Sequence, residues 1–486
     1  MATSDPQLNV DHFILFAEEL LGRCKNLKNV EGSPKLERKI NSEIKFLKTL
    51  KKNGKQNSNS HLKSSNLSHY AGVVHAAEFL PGVIQVLQSF SSPGKQDSLT
   101  VDVVAGEGHM WVKVIARKAQ ALHLVWAGKG QFGERDLIQQ VDEYMDCVQV
   151  HPFNFLTPEI HFAFYNNVTC PMAEALETRN IKVWGHRVMV EEDVERKLQS
   201  VLVVDSSDES DFSDSDHEEK ILKQNPCFIS NKSSGQINNT DNKAEEKPYC
   251  EKLTSIDDLN SLISNLNVRN LHNSSLKFSP NFVQVMKELL GVLPDFNLCD
   301  FSYEKMAEHL DSIKKVNLDI TSLIALVSGV THGGSKFVFK EKILSQQAAE
   351  ERDTPCLEII RQFLEGKELI ACKSAVEDFN TILDTLGGEG EKERSKKLLE
   401  DITIVEDQPS DRALQLEMFG KVKGRSRIIF GTGDTMKAIT VTANSGFVRA
   451  ARNQGIAFAV YIHPARALTE QKEKTAILME TTYELS

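Results

Sequence analysis

Four aspartates in the last third of the chain stand at the ends of apolar segments. They are Asp319 in VNLDITSLIAL, Asp378 in SAVEDFNTIL, Asp411 in DQPSDRALQL and Asp434 in RIIFGTGDTMKA. Carboxylates carried on strand ends and first helical turns converge on one edge of a sheet, and converging carboxylates hold hard divalent cations such as Mg²⁺. Two such cations can clamp a phosphodiester for hydrolysis. On this reading Asp319 and Asp434 would ligate one cation directly. Asp378 and Asp411 would complete the shell and hold a second cation or position the water. Thr321 and Ser322 would bond a metal water or a phosphate, or simply cap a helix.

Such a site needs strands and helices that deliver its acids to one place. From residue 313 the apolar runs alternate: KVNLDI, ELIAC, ITIV, RIIFG and IAFAVYIHP read as strands, with KFVFK a short one. TSLIALVSG, SAVEDFNTILDTLG, EKERSKKLLE, DRALQLEMFG and DTMKAITVTANSGFVRAARNQ read as helices between them. Alternation of this kind predicts an α/β fold, a parallel sheet with helices on both faces. Ligands bind such sheets at the carboxyl ends of the strands.

Upstream, residues 1–200 predict a mixed α+β domain with leading helices, helical over 10–90 and α/β over 98–195. LTVDVVA and MWVKVIARK, joined by GEGH, form a hairpin there. Residues 201–275 are acidic, then rich in Asn, Ser and Lys, and predict a disordered linker. Residues 276–312 predict a helical connector and 313–486 the C-terminal domain. Eight acids lie between 205 and 219, among serines that suit an acidophilic kinase.

The net charge is −11, which disfavours a general nucleic-acid coat, yet eight bases and a single acid, Asp434, lie between 421 and 466. Arg425, Arg427, Arg449 and Arg452 would line a path for phosphates. No apolar run reaches 18 residues, so no membrane span is expected. Without a leader pattern, a cytoplasmic or nuclear protein is expected. The eight cysteines show no metal-ligand spacing and read as reduced. The patterns GxxxxGK[ST], GxGxxG and GxSxG are absent, which removes nucleotide loops of those kinds and a nucleophile elbow.

In their order and their element types, LDITSLIAL, VEDFNTIL, SDRALQL and IIFGTGD resemble the four acidic motifs of PIN domains, across about residues 315–465. The full chain resembles an uncharacterised eukaryotic family with an N-terminal domain of unknown function and a C-terminal PIN-like domain. The resemblance implies Mg²⁺- or Mn²⁺-dependent ribonuclease chemistry on RNA; its alternative is an inactive PIN-like scaffold that binds RNA or protein partners. In the carry-over Glu377 is the alternative to Asp378, and Asp407 the alternative to Asp411. Asn444 would stand in for the fourth acid if the fourth strand lies elsewhere. A second nuclease pattern, PD-(D/E)xK, is approached by Asp102 and Lys113, but Trp111 stands where an acid is wanted. His109, His161 and His463 read as structural.

Overall fold

The computed structural model describes residues 9–53, 65–91, 98–129, 137–202, 279–296 and 301–479. The acidic 205–219 stretch, with its kinase expectation, lies outside them. Among the described residues no helix is long and apolar enough to cross a membrane.

Three helices lead the chain: α1 (Val10–Lys25), α2 (Ser33–Lys52) and α3 (Leu67–Phe79). The expected helical run to residue 90 stops at Pro81–Gly82, where Gly82 takes a positive φ. A strand follows instead, β1 (Gln85–Ser91). It pairs with β2 (Ser98–Ala105), and β2 pairs with β3 (Met110–Lys118), both antiparallel. After α4 (Ala119–Leu124) and α5 (Leu137–Val150), β4 (Glu159–Asn166) joins β3 in parallel. A two-stranded parallel pair, β5 (Val168–Thr169) with β7 (Arg187–Val188), flanks α6 (Cys170–Thr178) and β6 (Lys182–Trp184). The main sheet runs β1-β2-β3-β4-β6.

Alternation along these strands loads both faces. Val112 and Val114 point into a core built with α1, α2 and α3, whereas Trp111 and Ile115 point into a core built with α5 and α6. Helix α7 (Glu192–Leu202) ends this part. Helix α8 (Pro280–Leu290) buries Phe282, Val285, Met286 and Leu290 in the first core, against α1 and α3.

Helix α9 (Tyr303–Ser312) leads to β8 (Lys315–Leu318) and α10 (Ile320–Val327). Next come β9 (Phe337–Val338), α11 (Lys342–Asp353), α12 (Cys356–Leu364), β10 (Glu368–Cys372), α13 (Lys373–Leu386), α14 (Glu389–Glu400) and β11 (Thr403–Val405). The short α15 (Asp411–Leu414) precedes α16 (Gly424–Thr435), β12 (Ile439–Thr442), α17 (Ser445–Asn453) and β13 (Val460–Ile462). After α18 (Glu470–Glu473), β14 (Ile477–Leu478) pairs with β9.

The second sheet runs β11-β10-β8-β12-β13 and is wholly parallel. Helices cover both faces, and each face has its own apolar core. The mixed α/β class and the parallel sheet are as expected. Two elements are not. RIIFG, expected as the fourth strand, lies within helix α16, and the long helix expected over 434–454 is split by strand β12. Ile439–Thr442 is rich in β-branched residues, which suit a pleated, fully buried strand. Helix α16 lies close on the sheet because its glycines permit it. A methyl at Gly433 would come within 2.5 Å of Thr440 Oγ1, and one at Gly431 within 2.8 Å of Ala413 Cβ. The fully buried Asn317 of β8 fastens the helix by donating to Ile429 O at 3.1 Å.

Candidate functional site at the carboxyl edge of the parallel sheet

In the order β11-β10-β8-β12-β13 the chain winds outward one way from β8, then returns to β12 on its other side. That reversal is a topological switch point, and the crevice outside the carboxyl ends of β8 and β12 is where such folds bind ligands. Asp319 occupies it. The residue follows β8 and is the N-cap of α10. Its Oδ1 accepts from Thr321 Oγ1 at 2.7 Å and Ser322 N at 2.8 Å, with Ser322 Oγ 3.0 Å away. Its Oδ2 accepts from Thr442 Oγ1 at 2.5 Å.

The hydroxyls serve twice. Thr321 Oγ1 accepts from Ala443 N at 2.7 Å, and Thr442 Oγ1 accepts from Asn444 N at 2.9 Å. The turn after β8 and the turn after β12 are thereby stitched through one carboxylate, 4% exposed. Asn444 is itself the N-cap of α17 and accepts from Phe447 N at 3.1 Å. Phe447 is fully buried among Phe430 and Phe458 and offers no face to a base.

His463, just past β13, completes the cluster. Its Nδ1 lies 2.9 Å from Pro464 O, which only accepts, so Nδ1 carries a proton. Burial pushes its pKa down, so the ring is neutral and its Nε2 lies 2.9 Å from Ser322 Oγ, whose single proton also has Val441 O at 2.6 Å within reach. This is a serine–histidine contact, yet Ser322 is wholly buried and no substrate can reach it.

The other expected acids do not join Asp319. Asp434 is in the last turn of α16, before β12 begins, whereas Asp319 follows the end of the parallel strand β8. The two sit at opposite edges of the sheet, separated by a strand length on the order of 10 Å. The misplaced fourth strand explains the error: an acid after a strand and an acid before one point to opposite ends. Asp434 is locked by Arg412, whose Nε donates to Oδ2 at 2.7 Å and whose Nη2 donates to Oδ1. An acid at a helix C-terminus faces the negative end of the macrodipole, so this cation offsets an unfavourable position. Arg412 also donates to Pro152 O of the N-terminal domain at 3.0 Å. No sequence pattern singles out Arg412; only its spacing of one residue after Asp411 brought it near notice.

Asp378 lies on α13 and pairs with Arg425 at 2.9 Å, both side chains largely exposed. Glu377 beside it is exposed, and Asp411 is exposed at the first position of α15. Asp407 accepts from Ser374 N at 3.1 Å and from the Ser374 hydroxyl, capping α13 across from β11. Among the described residues, no three His, Cys, Asp or Glu side chains stand close enough to hold a metal ion. The donors present do not fit the four-carboxylate cation cluster expected from the sequence.

The basic residues divide as well. Arg427 is half-buried and donates to Leu416 O at 3.2 Å. Arg449 is exposed. Arg452 lines a small cavity with Phe90, Trp111 and His151 of the N-terminal domain, away from any carboxyl-edge path. Arg466 is buried, bound to Glu351 at 2.7 Å. In contrast Met418 and Phe419, 63% and 62% exposed, project from the loop before α16, beside exposed Lys421 and Lys423.

In the N-terminal sheet, Asp102 and Lys113 do meet, at 3.1 Å, and His69 Nε2 lies 3.2 Å from the same carboxylate. Burial pushes the Asp102 pKa up, but Lys113, His69 and the Val114 N–H outweigh it and hold the carboxyl below the usual range. Trp111, where a second acid would be needed, stacks on Phe90 at 4.1 Å inside the core.

Residues 5–218 match the profile of a family described as of unknown function (DUF5614), and residues 316–477 match that of a protein of unknown function (DUF1308). No solved structure matches the chain. The two matches, in this order, fit a two-domain family whose activity is not established.

Proposed function

We propose that the C-terminal domain is a PIN-like scaffold without metal-dependent catalysis, and that it binds single-stranded RNA. One observation carries the first half: Asp319 is buried with both its oxygens accepting from Thr321, Ser322 and Thr442, while its expected partners lie elsewhere. A catalytic cation would have to displace two threonine hydroxyls that also hold two turns together. The five-stranded parallel sheet with helices on both faces and the acid after its first strand support the PIN-like reading. So does the run Thr442-Ala443-Asn444 after β12, where a strand-ending Thr-x-Asp is expected and an amide stands instead.

The RNA half rests on the loop before α16. Phe419 is an exposed ring flanked by Lys421 and Lys423, and no acid occurs between Met418 and Gly433. A stacking platform beside cations is how single strands are held without sequence preference. The test uses the full chain. Mn²⁺ is titrated calorimetrically into wild type and Asp319→Asn, and a labelled single-stranded RNA is incubated with Mn²⁺ and followed by anisotropy and by gel. The expected result is no Asp319-dependent Mn²⁺ heat, RNA that binds and stays intact, and about tenfold weaker binding in Phe419→Ala. Cleavage that disappears in Asp319→Asn would restore the nuclease reading. Absence of RNA binding at low salt would refute the RNA half.

A further inference from the structure

A large cavity lies away from the parallel sheet, at the amino ends of β3, β4 and β6. It has a volume of about 760 Å³ and is closed on one side by Phe301–Met306, the approach to α9 and its first turn. That is a volume typical of small-molecule sites.

Three of its polar groups come from one sheet face. Glu159 and His161 are two apart on β4 and so point the same way. Lys182 of β6 is the register partner of His161. His161 is 3% exposed, and its ring lies parallel to that of Trp184 at a centroid distance of 6.0 Å.

The proton on His161 can be located. Trp184 Nε1 donates to His161 Nδ1 at 2.9 Å. An indole nitrogen only donates, so Nδ1 is an acceptor and the neutral ring carries its proton on Nε2. That Nε2 lies 3.3 Å from Glu159 Oε2, an ion-pair distance without hydrogen-bond alignment, and no other acceptor reaches it. A buried donor therefore lacks a well-aligned acceptor. The same proton assignment removes Nε2 as a metal ligand, which would need a free lone pair there.

The site thus combines a fixed N–H donor, a carboxylate acceptor and two cations at the rim, Lys182 and Lys305, while the other lining acid, Glu177, is paired with Arg187. The adjacent N–H of His161 and the charge of Lys182 hold the Glu159 carboxyl below the usual range, so it is an anion at neutral pH. An isolated anion would be repelled by Glu159 and an isolated cation by Lys182. The complementary ligand presents neighbouring N–H donors to the carboxylate, a carbonyl oxygen to His161 Nε2 and a negative tail to the lysines. Guanine has that edge, with two N–H groups beside a carbonyl, and its nucleotides carry the tail. We propose that this cavity binds a guanine mononucleotide, with Glu159 accepting from the base, His161 donating to its carbonyl, and Lys182 and Lys305 meeting the phosphate.

The test is calorimetric titration of the full chain with GMP, AMP and guanosine. Saturable GMP binding is expected, with AMP at least about tenfold weaker because it offers no donor pair to Glu159. Glu159→Gln, at an exposed side chain, should weaken GMP by about tenfold or more. Guanosine should bind more weakly than GMP and show less dependence on ionic strength. Trp184→Phe removes the indole donor, frees the His161 tautomer and should also weaken GMP. Equal affinity for GMP and AMP, GMP affinity unchanged in Glu159→Gln, or no GMP binding at millimolar concentration by the folded chain would each overturn the proposal.

Discussion

Replacing Asp434 by Asn distinguishes a structural carboxylate from a catalytic one by the sign of its effect on stability. In a cluster of like charges awaiting a cation, neutralising one member relieves repulsion and stabilises the empty protein. Here Asp434 faces Arg412 with both side chains close to nine-tenths buried, at 6% and 11% exposure. Removing one partner of a buried pair leaves an uncompensated charge, a loss of about 3–5 kcal/mol. Asp434→Asn keeps an acceptor for one guanidinium N–H but leaves the cation without its counter-charge, so a loss of about 2–4 kcal/mol is expected. Arg412→Ala should cost about 3–5 kcal/mol, since it also gives up the bond to Pro152 O. The double variant Asp434→Leu/Arg412→Met should lose less than the sum, because it leaves no orphaned charge. Urea unfolding of the full chain, followed by fluorescence and far-UV circular dichroism, gives all three values. A single Asp434→Asn variant as stable as wild type, or more stable, would refute the reasoning.

Three further outcomes follow from other groups. Asp319→Asn presents an NH₂ to hydroxyls and an amide that now donate inward, and should lower stability by about 1–3 kcal/mol by the same unfolding assay. His75 is buried and its pKa is pushed down to about 3 by burial, with Arg23 adding to the effect. Because the folded value lies below the unfolded one of about 6.5, its contribution is present above pH 6.5 and is lost as pH falls toward 3, by about 1.4 kcal/mol per unit. His75→Phe should flatten that part of the stability–pH curve; an unchanged slope would contradict it. Burial pushes the Cys24 and Cys372 thiols up to about 12 and Cys356 up to about 11. All three should react with a thiol reagent only as fast as the chain opens, and prompt labelling in the native state, located by peptide mapping, would count against their burial.

Strands β8 and β10 and helices α10, α13 and α14 were legible because each follows one period. Strand β10 is a continuous apolar run, as a two-sided parallel strand requires, and α13 keeps helical spacing over its whole span. The error came where local signals conflicted. Ile428, Ile429 and Phe430 look like a strand leading into Gly-Thr-Gly, but those small residues are what lets α16 press on Thr440 and Asn317. Two glycines in a helix lower its intrinsic propensity by about 1 kcal/mol each, so tertiary packing decided the outcome and not local preference. Once that strand is misread, every acid after it is assigned to the wrong edge. The place of Asp319 after β8 was legible because strand, acid and hydroxyls are contiguous. Its link to Thr442 spans more than a hundred residues of chain, and no local pattern reveals it.

Helix α8 has a consequence for how the chain must be made. Its Phe282, Val285 and Met286 complete a core whose other members were synthesised as early as Val10. The first core therefore closes only after residues up to Leu290 have left the ribosome. The family match stops at residue 218, whereas the first core includes Leu290. A chain that ended before α8 would expose the groove that Phe282, Val285, Met286 and Leu290 fill.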